Sequence, residues 1–323
     1  MTKTYSYISI IAPYINDFIA EKRSLGYIYD SEAYILKHFD NYCIDNRLND
    51  IIITKQFLTL WMTRRSSENA SYQTKRISIV RGLLLFMNVS GVSTYIPHHF
   101  SKIDHHVPHI LCENEVIAFF HSVDTYLPQK RYIRLANEYK ILFRMIYCCG
   151  LRNSEACNLT MSNVDLVNGL VTILQSKGCK DRIVYLSDDL VDLCRQYKDY
   201  IKNTLGFEPY WYFPSSDVNR PFRNSTIDRK LNEIWNRTAY AGSCDHKPTV
   251  HGLRHSFVVR RMNLWMEQGI DFNVMMPYLS KYLGHKSVNE TFYYYHQVEE
   301  AFRVIRLKDT ISDEVIPEVT YEK

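Results

Sequence analysis

The 323-residue sequence has no apolar run approaching a bilayer span, and its start, "MTKTYSYISIIAPYINDF", has neither a charged n-region nor a small-residue cleavage site. A membrane-spanning or exported protein is not expected on this pattern, and the chain reads as cytoplasmic. A CxxC pair is also missing. The eight cysteines, Cys43, Cys112, Cys148, Cys149, Cys157, Cys179, Cys194 and Cys244, follow no regular spacing, which argues for reduced thiols instead of a disulfide or zinc framework. There is no internal repeat and no low-complexity segment. No GxxxxGK[ST] run exists to cradle a nucleotide phosphate.

What is present suits a globular protein: 46% hydrophobic residues over 323 positions suffice for one large or two ordinary cores. The net charge of +4 barely favours a polyanionic partner, but its distribution is uneven. From Lys55 to Val89 six basic residues, Lys55, Arg64, Arg65, Lys75, Arg76 and Arg81, face the single acid Glu68, with Trp61 and Tyr72 among them. Such a patch suits a phosphate backbone, although a solvated charged face has the same pattern. Arg64, Arg65, Lys75, Arg76 and Arg81 are the candidate DNA-binding residues.

Helical periodicity fills the first hundred residues: "IIAPYINDFIAEKRSLG" stops at Gly26, "SEAYILKHFDNYCIDN" follows a Ser31 cap, and "TKQFLTLWMTRR" and "SYQTKRISIVRGLLLFMNVSG" complete a four-helix domain. The stretch "STYIPHHFSKIDHHVPHI" has prolines and no period, so it reads as a linker. Its histidines, His98, His99, His105, His106 and His109, read as solvated linker residues and no metal site is assigned to them. Further on, "NEYKILFRMIYCCGLRNSEACNL" reads as a helix, a break at Gly150 and a second helix. "VDLVNGLVTILQSKGCKDRIVYLS" reads as a small antiparallel sheet, with Asn168-Gly169 a hairpin signal. The rest is helical. The expected fold is therefore mainly α with a small antiparallel sheet, divided into residues 1–95, a linker at 96–110, a second domain at 111–298 and a tail at 299–323.

Four short stretches carry residues suited to chemistry. In "HGLRHSF", His251 and Arg254 share one face of a helix capped by Thr249, setting a base beside a guanidinium fork. In "CCGLRNSEACNL", Arg152 follows the glycine break and Glu155 lies three residues on, placed to orient it. In "QSKGCKDR", Lys177 and Lys180 sit at a hairpin tip, with Lys177 the one placed to point inward. In "YLGHKSVNETFYYYH", His285 follows a helix stop at Gly284. Tyr293, Tyr294 and Tyr295 come about 100° apart on the next helix, so at most one of them faces any given centre. Taken singly, each has a bland reading: a surface pair, a helix-start salt bridge, a solvated turn, a packing stripe.

Jointly, the order Arg152, Lys177, His251-x-x-Arg254, His285, Tyr294 resembles the catalytic set of the tyrosine recombinase (phage integrase) family, site-specific recombinases of mobile elements among them. In that family the nucleophile follows the "GH" histidine by nine positions, which selects Tyr294. "GLRNSE" is similar to the family's G-L-R-x-S-E box and "SKGCKDRIVYL" to its β-hairpin lysine segment. The slot written "TTQIYTH" in many relatives is "ETFYYYH" here, which bears on the register between Tyr294 and its neighbours. The resemblance runs from about Ile110 to Val298, and the helical N-terminal part is similar to the family's core-binding domain.

The resemblance implies a two-domain C-shaped clamp on double-stranded DNA and cleavage through a 3′-phosphotyrosine. It implies four protomers on two duplexes, accessory DNA-bending proteins as further partners, and no metal or cofactor. The tail after Val298 either docks on a neighbouring protomer or is a frayed acidic terminus. A type IB topoisomerase-like relaxing activity and a non-catalytic DNA-binding regulator are the alternatives; the HxxR histidine and the complete residue set favour recombination.

Overall fold

A computed structural model describes residues 4–98, 108–176, 180–244, 246–285 and 287–295. Its contacts divide the chain into two compact units, Met1–His106 and Val107–Lys323.

The first unit is built from α1 (Ala12–Ser24), α2 (Asp30–Asp45), α3 (Lys55–Met62) and α4 (Ala70–Val89). Side-chain caps set two of the starts: Thr54 accepts from the Phe57 amide at 3.2 Å and Asn69 from the Tyr72 amide at 2.7 Å. The second helix does not begin on a Ser31 cap. Tyr29, held in the left-handed region at φ 55, precedes Asp30, and Ser31 lies inside the helix. Ile15, Phe18, Leu36, Phe39, Leu58, Trp61, Val80, Leu83 and Leu84 form the core. Helical spacing along each element brings these positions to one side.

Arg76 departs from the expected role. Its side chain is only 1% exposed: its guanidinium makes two 2.8 Å bonds to the Glu68 carboxylate, donates to the Trp61 carbonyl and stacks 4.7 Å from the Trp61 ring. A buried charge needs such complete pairing. Arg76 is thus committed to holding α4 against the end of α3, and its donors are not offered to an outside phosphate. Arg64, Arg65 and Lys75 are exposed, while Arg81 is half-buried and donates to the Pro97 carbonyl at 3.0 Å.

The second unit comprises α5 (Glu113–Asp124), α6 (Ile133–Cys149), α7 (Asn153–Cys157), strands β1 (Val164–Asp165), β2 (Leu170–Ser176) and β3 (Lys180–Tyr185), then α8 (Asp188–Leu205), α9 (Asn224–Trp235), α10 (Val250–Glu267), α11 (Phe272–Leu283) and α12 (Asn289–Tyr295). The strands form one antiparallel sheet in the order β1-β2-β3, with Val171 opposite Val184 and Ile173 opposite Arg182. The Asn168-Gly169 turn joins β1 to β2. Gly169 has φ 65, and Asp165 accepts from the amides of Val167 and Asn168. Helix α6 is the spine of the core: Tyr139, Leu142, Phe143 and Ile146 are buried along it. The architecture is mainly helical with one small antiparallel sheet. Among the described residues no helix is long and apolar enough to cross a membrane.

Candidate active site

The site begins where α6 stops. Gly150 takes the left-handed conformation at φ 62, which ends the helix and turns the chain toward Arg152. A side chain here would bring its Cβ to 2.7 Å from Phe257, so the position needs glycine for space as well as for backbone freedom. Arg152 then caps α7, and Glu155 folds back to accept from the Arg152 amide at 2.8 Å and from its Nη1 at 2.7 Å. The carboxylate so placed also receives both ends of Arg182, at 2.8 and 2.7 Å, and lies 3.9 Å from Arg254. Burial pushes the Glu155 carboxyl up, but the bonds and charge of Arg182, with those of Arg152, outweigh it and hold it well below the usual carboxylate range. Glu155 stays ionised and fixes the guanidiniums around it.

Arg254 reaches the same place from α10, whose cap is Thr249, accepting from the Gly252 amide at 2.9 Å. Its Nη1 donates to the Gly150 carbonyl and its Nη2 to the Leu283 carbonyl, both at 2.6 Å. Gly284 ends α11 in the left-handed region at φ 67, and its carbonyl accepts from Arg152 Nη2 at 3.1 Å. Two arginines distant in sequence therefore bind the same turn. They differ in access: the Arg152 side chain is 17% exposed and that of Arg254 1%.

His285 follows that turn. Its Nε2 lies 3.1 Å from Arg254 Nη2 and its Nδ1 2.7 Å from Thr291 Oγ1. A guanidinium can only donate, so Nε2 accepts, and Nδ1 carries the hydrogen and donates to the threonine. Burial, reinforced by the charges of Arg254, Arg152 and Arg182 and by His251, pushes His285 down to about 3, so the ring is neutral. His251, one turn before Arg254, is exposed, and its ring packs 4.3 Å from that of His255. Burial and the same cationic neighbourhood push His255 down to about 2. The arrangement concentrates positive charge and hydrogen-bond donors at one spot, the electrostatic signature of an anion-binding site.

Of the residues expected from sequence, Arg152 is hydrogen-bonded to Glu155 and Arg254 to His285, a 3.9 Å ion pair links Glu155 to Arg254, and His251 stands on the same helix as Arg254. The backbone of Tyr294 is in α12, three residues beyond Thr291, while its side chain lies outside the described residues. Lys177 and the tail 299–323 also lie outside them, but β2 and β3 lead to and from Lys177. Arg182, two residues into the returning strand, ties that hairpin to Glu155.

Arg182 and Thr291 belong to the site but are not among the candidate residues that its sequence motifs mark. Arg182 did leave a signal: it alternates in phase with Val184 and Leu186, both buried, so its charge had to find a partner inside. Thr291 left none that a packing threonine would not share.

Comparisons with known proteins point to one family. Residues 110–301 match the phage integrase family. The tyrosine recombinase XerA of Pyrococcus furiosus is 30% identical over 47% of this chain and 48% of its own, and the tyrosine recombinase XerD of Neisseria meningitidis is 28% identical over 71% of this chain and 73% of its own. Among solved structures, the XerH site-specific recombinase bound to palindromic difH substrate in a post-cleavage complex has a TM-score of 0.63 at 21% identity, covering 87% of this chain and 78% of that one. With the family match covering more than half of its length, this chain belongs to the phage integrase family, the tyrosine recombinases.

Proposed function

We infer that the protein is a site-specific DNA recombinase that cleaves and rejoins strands through a covalent 3′-phosphotyrosine. One observation carries the reading: Arg152, Arg254 and His285 converge on the turn at Leu283 and Gly284, and the Thr291–His285 bond ties to that turn the helix on which Tyr294 stands.

In the proposed reaction the Tyr294 oxygen attacks the scissile phosphorus while the bond to the 5′ oxygen breaks. The crowded phosphorane carries extra negative charge. Arg152 and Arg254 hold its nonbridging oxygens, with a hydrogen bond from His285. A bound phosphate oxygen takes the place of His285 as acceptor for Arg254. The imidazole then presents Nε2–H, and Nδ1 accepts from the Thr291 hydroxyl, which serves as donor or acceptor. A tyrosine ordinarily loses its proton near pH 10, and His251 is the base assigned to it. Lys177 is assigned to protonate the departing 5′ oxygen. Each proton transfer contributes roughly 10² to 10⁴ in rate. The phosphotyrosine conserves the bond, and a 5′ hydroxyl from another duplex reverses the step. Glu155 touches no substrate in this scheme; it orients the arginines.

The domain assignment belongs to the same proposal. Residues 1–95 form a core-binding domain and 111–298 the catalytic domain, joined through 96–110 into a C-shaped clamp with Arg64, Arg65 and Lys75 turned to the backbone. Four protomers act on two duplexes with accessory DNA-bending proteins, and the tail at 299–323 docks on a neighbour. The test is covalent trapping on nicked DNA drawn from the genetic neighbourhood of the coding sequence, with the DNA-linked peptide mapped by mass spectrometry. An adduct on Tyr294, absent in Tyr294→Phe, is expected. Because guanidiniums supply the charge stabilisation, cleavage is expected to persist in EDTA. An adduct on another residue, or loss that magnesium alone restores, would count against this scheme.

A further inference from the structure

Away from the arginine cluster, three residues from separate segments bring their donor atoms together. His109 lies just before α5, Glu115 is in the first turn of α5, and Cys244 lies in the loop between α9 and α10. One imidazole nitrogen, one carboxylate oxygen and one sulfur all fall within 4.8 Å of one another. His109 Nε2 is 3.0 Å from Glu115 Oε1, Cys244 Sγ is 3.5 Å from the same oxygen, and Sγ is 3.9 Å from Nε2.

We propose that His109, Glu115 and Cys244 form a binding site for a zinc-like divalent cation. Metal–nitrogen and metal–oxygen bonds of about 2.0–2.2 Å and a metal–sulfur bond of about 2.3 Å, set at tetrahedral angles, require donor separations of about 3.4 Å for N···O and 3.6 Å for the sulfur pairs. The three distances here each fall within about 0.4 Å of that geometry, so closing on a metal needs only side-chain adjustment. A thiolate, a carboxylate and a neutral imidazole together balance a dication, and the thiolate selects zinc over magnesium or calcium. Binding replaces the thiol proton of Cys244, which leaves to solvent. Three protein ligands leave a fourth position for water or another exogenous donor.

This placement has a structural consequence. The His109 carbonyl lies against the start of α10, where a Cβ on Gly252 would come to 3.1 Å from it, and the Leu111 amide donates to Ser256 Oγ at 3.0 Å. Cys244 stands five residues before Thr249, the cap of the same helix. A metal would therefore staple both chain segments that hold the base of α10, the helix carrying His251 and Arg254. The histidine tract reads as a solvated linker because no cysteine or carboxylate ligand set accompanies it in sequence; Cys244 stands 135 residues from His109.

The experiment uses the full chain, reduced and stripped of metal with a chelator, and titrated with cobalt(II). One equivalent is expected to produce a near-ultraviolet thiolate-to-cobalt charge-transfer band with the strong visible bands of four-coordination, both displaced by zinc(II). Cys244→Ser is expected to remove the charge-transfer band and His109→Ala to weaken binding by at least about tenfold, while Cys112→Ser leaves both readings unchanged. Zinc-edge X-ray absorption of the unmodified chain is expected to find one sulfur in the first shell, a reading independent of how the variants fold. Absence of stoichiometric cobalt binding, a charge-transfer band that survives Cys244→Ser, or a shell without sulfur would overturn the proposal. None of these readings depends on DNA cleavage, so they stand or fall apart from the recombinase scheme.

Discussion

Two histidines and a threonine carry the clearest consequences at the scale of single residues. His255 and His285 stay neutral down to about 2 and about 3, whereas the same imidazoles protonate near 6.5 when unfolded. Between those values the unfolded chain binds more protons, so stability is full above pH 6.5 and falls as the pH drops below it. Urea midpoints of the DNA-free protein are expected to decline steadily from about pH 7 to about pH 5; equal midpoints would show that these rings are not held neutral. Thr291 is expected to act as a positioning residue. Thr291→Val keeps the shape but removes the hydroxyl bonded to His285, and covalent cleavage should slow by about 10-fold or more, with Thr291→Ser restoring most of it. If valine and serine behave alike at that position, the hydroxyl has no part in presenting the imidazole.

At the scale of elements, the decisive feature is where helices stop. Gly150 and Gly284 end α6 and α11 in the same left-handed conformation, and the turns they create supply the carbonyls that hold Arg254 and Arg152. Gly150→Ala combines an unfavourable positive φ with a Cβ 2.7 Å from Phe257 and is expected to cost about 2–4 kcal/mol of stability. Gly206 shares the positive φ but has open space around it, so Gly206→Ala should cost only about 1–2 kcal/mol. Denaturant unfolding of the two variants separates the steric part from the backbone part; equal losses would show that Phe257 yields freely. The β2–β3 hairpin is anchored to the same site at one strand, by the bidentate Arg182–Glu155 pair.

For the whole molecule, the net charge of +4 says less than its division between inward and outward groups. Arg64, Arg65 and Lys75 are exposed, while Arg76 is buried with Glu68. DNA affinity is expected to fall steeply with salt, by about 10³-fold or more between roughly 50 and 200 mM if six or more phosphates are neutralised. Arg65→Ala should lower the slope of log affinity against log salt by about one. Arg76→Ala should instead leave the slope of the folded fraction unchanged and lower stability, since it strands Glu68 in the core. A flat salt plot, or a slope change confined to Arg76→Ala, would contradict this division.

Much of the molecule was legible from local rules. Helical spacing marked the four N-terminal helices, the Thr249 cap marked the start of α10, the glycines marked the ends of α6 and α11, and the order of Arg152, His251, Arg254 and His285 marked the family. These depend on neighbours within a few residues, where a repeat of 3.6 or a left-handed glycine leaves a visible trace.

Long-range closure decided the rest. Whether a basic residue in an amphipathic helix turns out or in depends on a distant acid: Arg76 and Arg81 look alike in sequence, yet only Arg76 finds a buried carboxylate. Glu155 reads as the partner of Arg152, three residues away, but it is the chain's return 27 residues later that brings Arg182 to both of its oxygens. The arrival of Cys244 beside His109 and Glu115 has no local trace either, because it joins segments 135 and 129 residues apart. Sequence fixes which groups are available and how each helix presents them; tertiary packing alone determines which are brought within bonding distance, because that is set by burial shared among segments far apart in the chain.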